Sequence, residues 1–137
     1  MHIEPEWVNL SHAASVTVSS GNGDENRCPG TWLANISGEQ SITVQFHRPI
    51  AVRRIRIVFE ELHVRRTQEF AIWASLHRGE RHVEIVRQQF NFSPDGATRE
   101  IEEYATDLNE VAALKIRIVP SIDGCAATAK LIDLRVA

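Results

Sequence analysis

Apolar and polar residues alternate with a period of two along most of this chain, the pattern of strands that bury one face. Ser15-Val-Thr-Val-Ser predicts the first strand. Ile42, Val44 and Phe46 alternate with Thr43 and Gln45, and Ile55, Ile57 and Phe59 alternate with Arg54, Arg56 and Val58. Pro49 stands between these runs, where a fixed φ and a missing N–H predict a turn or a strand start. After the polar stretch Glu60 to Glu69, the pattern resumes at Phe70, Ile72 and Ala74, and again over Val83 to Phe90. Thr98 to Tyr104 reads as extended, with Ile101 as its clearest apolar anchor, and Leu114, Ile116 and Ile118 mark another strand. Asp107 to Val111 predicts one helical turn with Asp107 as its N-cap. Leu131 to Val136 closes the series.

Turn chemistry separates these runs. Ser19 to Gly30 is a long loop of Ser, Gly, Asn and Asp, Leu76 to Arg81 is a turn, Asp95-Gly96 is the strongest local turn signal, and Pro120 to Ala127 is the last loop. About eight strands at regular spacing predict an all-β, antiparallel β-sandwich of the jelly-roll kind rather than a parallel α/β fold. One domain over 1–137 is expected, with 1–12 a lead-in segment in which Trp7 and Leu10 pack onto the sandwich edge.

Composition narrows the classes of partner. The 137 residues are 43% hydrophobic and 24% charged, enough for one core and one domain. A net charge of −3 predicts no nucleic-acid footprint, although 13 of the 15 basic residues are Arg, the side chain suited to bidentate contact with carboxylates or phosphates. Arg54, Arg56, Arg87, Arg117 and Arg135 fall on solvent-facing strand positions, where pairing with Glu84 or Glu102 is expected. No apolar run is long enough for a membrane span and the first residues lack a signal-peptide pattern, so a cytoplasmic chain or one domain of a larger protein is expected. Cys28 and Cys125 lie in loops and are too few for a disulfide framework.

Enzymatic signatures are missing, and a non-catalytic role is expected. There is no nucleophile elbow, and Gly21-Asn-Gly-Asp does not open a helix as a phosphate cradle would. The six histidines lack metal-ligand spacing, and Glu60-Glu61 and Glu102-Glu103 are adjacent strand residues that point to opposite faces. Trp73 falls on the face opposite Phe70 and Ile72, which makes it a candidate contact surface, the alternative being that it packs on the sandwich's outer layer.

Several segments together resemble the discoidin, or coagulation factor 5/8 type C, family of galactose-binding-like β-sandwiches. These are Trp32 ahead of Ile42 to Phe46, Pro49-Ile-Ala-Val followed by Ile55-Arg-Ile, Gln68-Glu-Phe-Ala-Ile-Trp-Ala-Ser, and the closing Lys115-Ile-Arg-Ile-Val and Leu131-Ile-Asp-Leu-Arg-Val. The resemblance implies that Trp32 is a core residue. It implies a binding module with its site in the loops at one end of the sandwich, where the matching segment supplies His63, Arg65, Arg66 and Gln68, joined by Asn22 and Arg27 of the first long loop. The last loop departs from the sugar-binding pattern in having Ile122 and no aromatic ring. Many members of the family hold calcium in the loop that corresponds to Asp24 to Trp32. Here Glu25 replaces the family's Gly, the spacing is longer and Thr31 abuts Trp32, so no cofactor is expected; Asp24 and Asp133 are the ligands a calcium ion would use. Two functions follow: recognition of a carbohydrate or other small polar ligand, and protein-protein interaction as a scaffold or by self-association into a homo-oligomer.

Overall fold

The computed structural model describes residues 6–20, 22–23, 32–34, 36–76 and 79–137. After one helical turn, α1 (Leu10–Ala13), the chain forms β1 (Ala14–Val18), β2 (Asn22–Gly23), β3 (Trp32–Leu33), β4 (Gln40–Glu60), β5 (Arg66–Leu76), β6 (Arg81–Phe92), β7 (Arg99–Val119) and β8 (Lys130–Val136). All pairings are antiparallel, as the alternating pattern predicts. Among the described residues no helix is long and apolar enough to cross a membrane.

Two strands of 21 residues each, β4 and β7, build both layers of the sandwich. The first half of β4 pairs with β1 and with the last part of β7, which pairs in turn with β5, and β5 with β6. The second half of β4 pairs with the first part of β7 and with β8, which carries β3 and β2. The hydrogen-bonded sheet therefore bends back on itself and closes on a core of Ile42, Val44, Ile72, Leu114 and Ile116 against Ile55, Ile57, Phe59, Leu131 and Val136, all essentially inaccessible. Phe59 and Phe70 meet across this core with ring centroids 5.2 Å apart.

At the bend the structure departs from the sequence reading. Pro49 neither ends nor starts a strand: it lies inside β4, in the register gap between the Gln45 and Ile50 rungs, where no ladder bond needs its missing N–H. The helical turn expected at Asp107 is absent. β7 runs through it with irregular register, Glu110 takes a positive φ of 54°, and Asp107 is an exposed partner of Arg53 at 3.5 Å. Side chains of one strand satisfy the backbone of the other here: Thr106 Oγ1 donates to Val52 O at 2.7 Å and Arg53 Nη1 to Leu108 O at 2.8 Å. A bulged bend and a capped turn share the same local polar chemistry, and only the long-range pairing of β4 with β7 distinguishes them.

The first half of β7 is turned over relative to expectation. Ile101 is 55% exposed, and the inward position is taken by Glu100, which is fully buried. The rung Phe59↔Glu100 fixes this face, since Phe59 must point into the core. Trp32 is 2% exposed, with its indole N–H donating to Ser20 O at 2.7 Å, as a core residue requires. Leu10 is buried as expected, in a lead-in that forms the turn α1.

Candidate ligand-binding surfaces

The loop end of the sandwich gathers the 61–65 and 120–129 loops, the 93–98 turn and the segment before β4. Beneath it lies a buried polar network. Arg66 Nε donates to Glu61 Oε1 at 2.8 Å, while its Nη1 donates to Gln68 Oε1 at 2.9 Å and to Pro120 O at 2.8 Å. Its guanidinium also stacks 4.7 Å from the Phe92 ring centroid. Glu61 Oε2 accepts from the backbone N–H of His63 at 3.0 Å and of Val64 at 3.3 Å. Burial pushes the Glu61 carboxyl up, but the hydrogen bonds from His63, Arg66 and Val64 outweigh it and hold the group below its ordinary value. One guanidinium thus ties the 61–65 loop to the start of the 120–129 loop.

This geometry corrects the roles expected for Arg66 and Gln68. Both are buried, at 3% and 0% exposure, and all their side-chain polar atoms but Arg66 Nη2 have partners within the protein, so they position loops rather than contact a ligand. His63 and Arg65 are exposed. His63 lines a hollow of about 220 Å³ with Leu33, Glu61, Leu62, Thr128 and others, whereas Arg65 lies 3.6 Å from Asp95. Glu60, in the same hollow, is held below its ordinary carboxyl value by hydrogen bonds from Lys130 and Arg99. The backbone of Asn22 pairs with Leu33; its side chain, like all of Arg27 and Asp24, lies outside the described residues.

Asp133, one of the two residues a calcium ion would use, accepts from Arg135 Nε at 2.8 Å on the solvent face of β8. No three His, Cys, Asp or Glu residues gather as a metal group among the described residues. Cys125 is a free, exposed thiol 3.0 Å from Ser121 Oγ.

The second surface is the outer face of the β1–β4–β7–β5–β6 layer, and the sequence named one of its residues. Trp73 is half-buried there and points away from Phe70 and Ile72, as the alternation predicts. It lines a groove of about 520 Å³ with Thr43, Gln45, Ser75, His82, Ala113, Lys115 and Arg117, a volume within the roughly 300–1,000 Å³ of small-ligand sites. The register explains the concavity. Two rows cross the sheet side by side, Gln45–Ala113–Ser75–His82 and Thr43–Lys115–Trp73, so the indole stands beside the small side chains of Ala113 and Ser75. Arg87, outside the groove lining, lies over the Trp73 ring, 5.6 Å from its centroid. It is fixed there by Glu69 at 2.7 Å and by Glu84 at 2.8 Å, one of the two acids expected to pair with the strand arginines. The other, Glu102, is replaced by Glu103, which lies 3.5 Å from Arg54. An apolar ring flanked by hydroxyl, amide, imidazole and ammonium groups is the chemistry that a sugar ring requires. Sequence reasoning missed Lys115, Thr43, Gln45 and Ser75. Their only signal was an outward position in an alternating strand, and which outward residues become neighbours depends on register.

No family model and no curated protein matches the chain. Solved structures do match it over nearly its whole length. A chitosan-binding module of a chitosanase/glucanase from Paenibacillus sp. IK-5 shares 16% identity at a TM-score of 0.65, covering 95% of this chain and 98% of that one. A family 32 carbohydrate-binding module of C. perfringens NanJ, solved with galactose, shares 13% at 0.67, covering 95% and 96%. The corresponding module of AlyQ, solved with 4,5-unsaturated mannuronic acid, shares 20% at 0.57, covering 91% and 95%. The fold is therefore the galactose-binding-like β-sandwich.

Proposed function

We propose that this chain is a non-catalytic carbohydrate-binding module and that the groove around Trp73 is where it holds sugar. The observation that carries the reading is the half-buried indole set among polar side chains on a rigid sheet face, of which Gln45 and Arg117 are already partnered and Lys115, among the described residues, is not. The fold adds support, since its neighbours bind chitosan and were solved with galactose or a mannuronic acid derivative. Strand-borne side chains hold their geometry before the ligand arrives, which lowers the ordering cost of binding.

A second surface favours a protein partner or self-association. Leu33, Ile36, Leu62, Val64 and Ile122 are all large, apolar and exposed at the loop end, and a cluster of exposed aliphatic residues marks an interaction surface more often than a sugar platform.

A glycan array followed by calorimetry separates the two. Trp73→Ala is expected to weaken binding to the retained glycan by about 30-fold, the loss of one aromatic anchor of about 2 kcal/mol, while His63→Ala leaves affinity unchanged. Loss of binding in His63→Ala with full affinity in Trp73→Ala moves the sugar site to the loop end. A blank array beside concentration-dependent dimerisation that Leu62→Asp abolishes replaces the carbohydrate reading with the second one.

A further inference from the structure

We infer that the Trp73 groove takes a glycan whose sugar rings carry a negative charge. The inference rests on the carbohydrate reading above and adds which sugars the groove selects. Among the described residues no Asp or Glu lines the groove, and its lining includes two basic side chains, Lys115 and Arg117. Lys115 sits directly opposite Trp73 on the β5–β7 ladder and opposite Thr43 on the β4–β7 ladder, so its ammonium rises between the indole and a hydroxyl.

The neighbouring charges are already matched. Arg87 is held by Glu69 and Glu84, and Arg117 pairs with Glu39. Lys115 is exposed and has no acidic partner among the described residues. A carboxylate or sulfate ester on a sugar stacked against Trp73 meets this ammonium without displacing an internal ion pair. A neutral sugar leaves it to water. The protein carries a net charge of −3, so its overall field does not draw polyanions in, and the selectivity is local to this ammonium. The shared chemistry is an anionic substituent on a pyranose ring, whether uronate or sulfate.

Affinity electrophoresis of the whole chain tests this with three polymers: polygalacturonate, carrageenan, and polygalacturonate fully methyl-esterified. Wild type is expected to be retarded by at least one anionic polymer and about tenfold less by the ester. Lys115→Met is expected to lose about tenfold of the anionic affinity, the size of one charge-assisted contact, with an unchanged melting temperature because the side chain is solvent-borne. Retardation by polygalacturonate alone assigns a carboxylate, by carrageenan alone a sulfate, and either supports the inference. Equal retardation by polygalacturonate and its ester, where both retard the chain, overturns it, and if Trp73→Ala abolishes both, the carbohydrate reading stands without the charge. Anionic retardation that survives both Lys115→Met and Trp73→Ala overturns the groove as the site. Failure of both anionic polymers overturns the inference, and binding of a neutral glycan through Trp73 then keeps the broader reading.

Discussion

Arg66→Ala is expected to destabilise the protein by about 3–5 kcal/mol, a large share of a small domain's stability. The guanidinium joins Glu61, Gln68 and Pro120 O in one buried network and covers the Phe92 ring. Truncation leaves Glu61 without its cation, strands the Gln68 carbonyl oxygen and the Pro120 carbonyl, and opens a void beside an aromatic ring. Lysine should rescue little, because a single ammonium cannot span three acceptors arranged around a planar fork. Urea unfolding followed by circular dichroism measures the loss. Amide exchange then locates it: protection should fall first in the 61–65 and 120–129 loops, while the β5–β7 rungs under Trp73 keep theirs. Stability within about 0.5 kcal/mol of wild type would mean that the network is solvated in solution and does not hold the loop end.

That buried arginine also marks where the sequence was legible and where it was not. Strand positions and the identity of most core residues follow from alternation, because a residue such as Ile57 or Ile116 has only one face on which its burial is favourable. The bends were hidden. Pro49 and Asp107 carry strong local signals for a break, and those signals are outweighed by cross-strand bonds to residues more than fifty positions away, such as Thr106 to Val52 O. Arg66 and Gln68 misled for a related reason. In a loop-flanking segment they read as free donors, and only the convergence of Glu61, Pro120 and Phe92 shows that every donor but one nitrogen of the guanidinium is already used.

The groove shows the complementary case. Trp73 was legible as outward-facing from its place between Ile72 and Ala74, yet a single exposed indole says nothing about what surrounds it. Its neighbours come from β4, β6 and β7, and their approach depends on rungs such as Thr43↔Lys115 and Trp73↔Lys115. A shift of one residue in either ladder would turn Lys115 into the core and Leu114 out. The specificity proposed for this surface is thus a property of register, which composition and spacing do not encode.

Glu100→Gln is expected to stabilise the protein at neutral and alkaline pH and to flatten its pH dependence. Glu100 is fully buried, with one oxygen 3.4 Å from Gln68 Nε2 and the other without a partner. Burial, then the charge of Glu102, push its pKa up to about 8 from an ordinary 4.5, against the smaller opposing effects of Gln68 and Arg66. The folded state therefore holds a proton that the unfolded chain releases above 4.5. Between that value and about 8 the native state binds more protons, so stability falls as pH rises, by up to about 1.4 kcal/mol per pH unit. The contribution is fully present below 4.5 and exhausted above about 8, where the native carboxylate also ionises. An amide of the same shape carries no such penalty. Chemical denaturation of both proteins across this window should show the wild type losing stability on the alkaline side, with the variant ahead by a few kcal/mol at its upper end and the two converging at the acid end. Parallel profiles would show that Glu100 ionises in the folded state as it does in water. In an Arg66→Met background the wild-type slope should extend to higher pH, because the Arg66 charge that offsets the burial of this carboxylate is gone; that coupling ties the acid to the network that holds the loop end together.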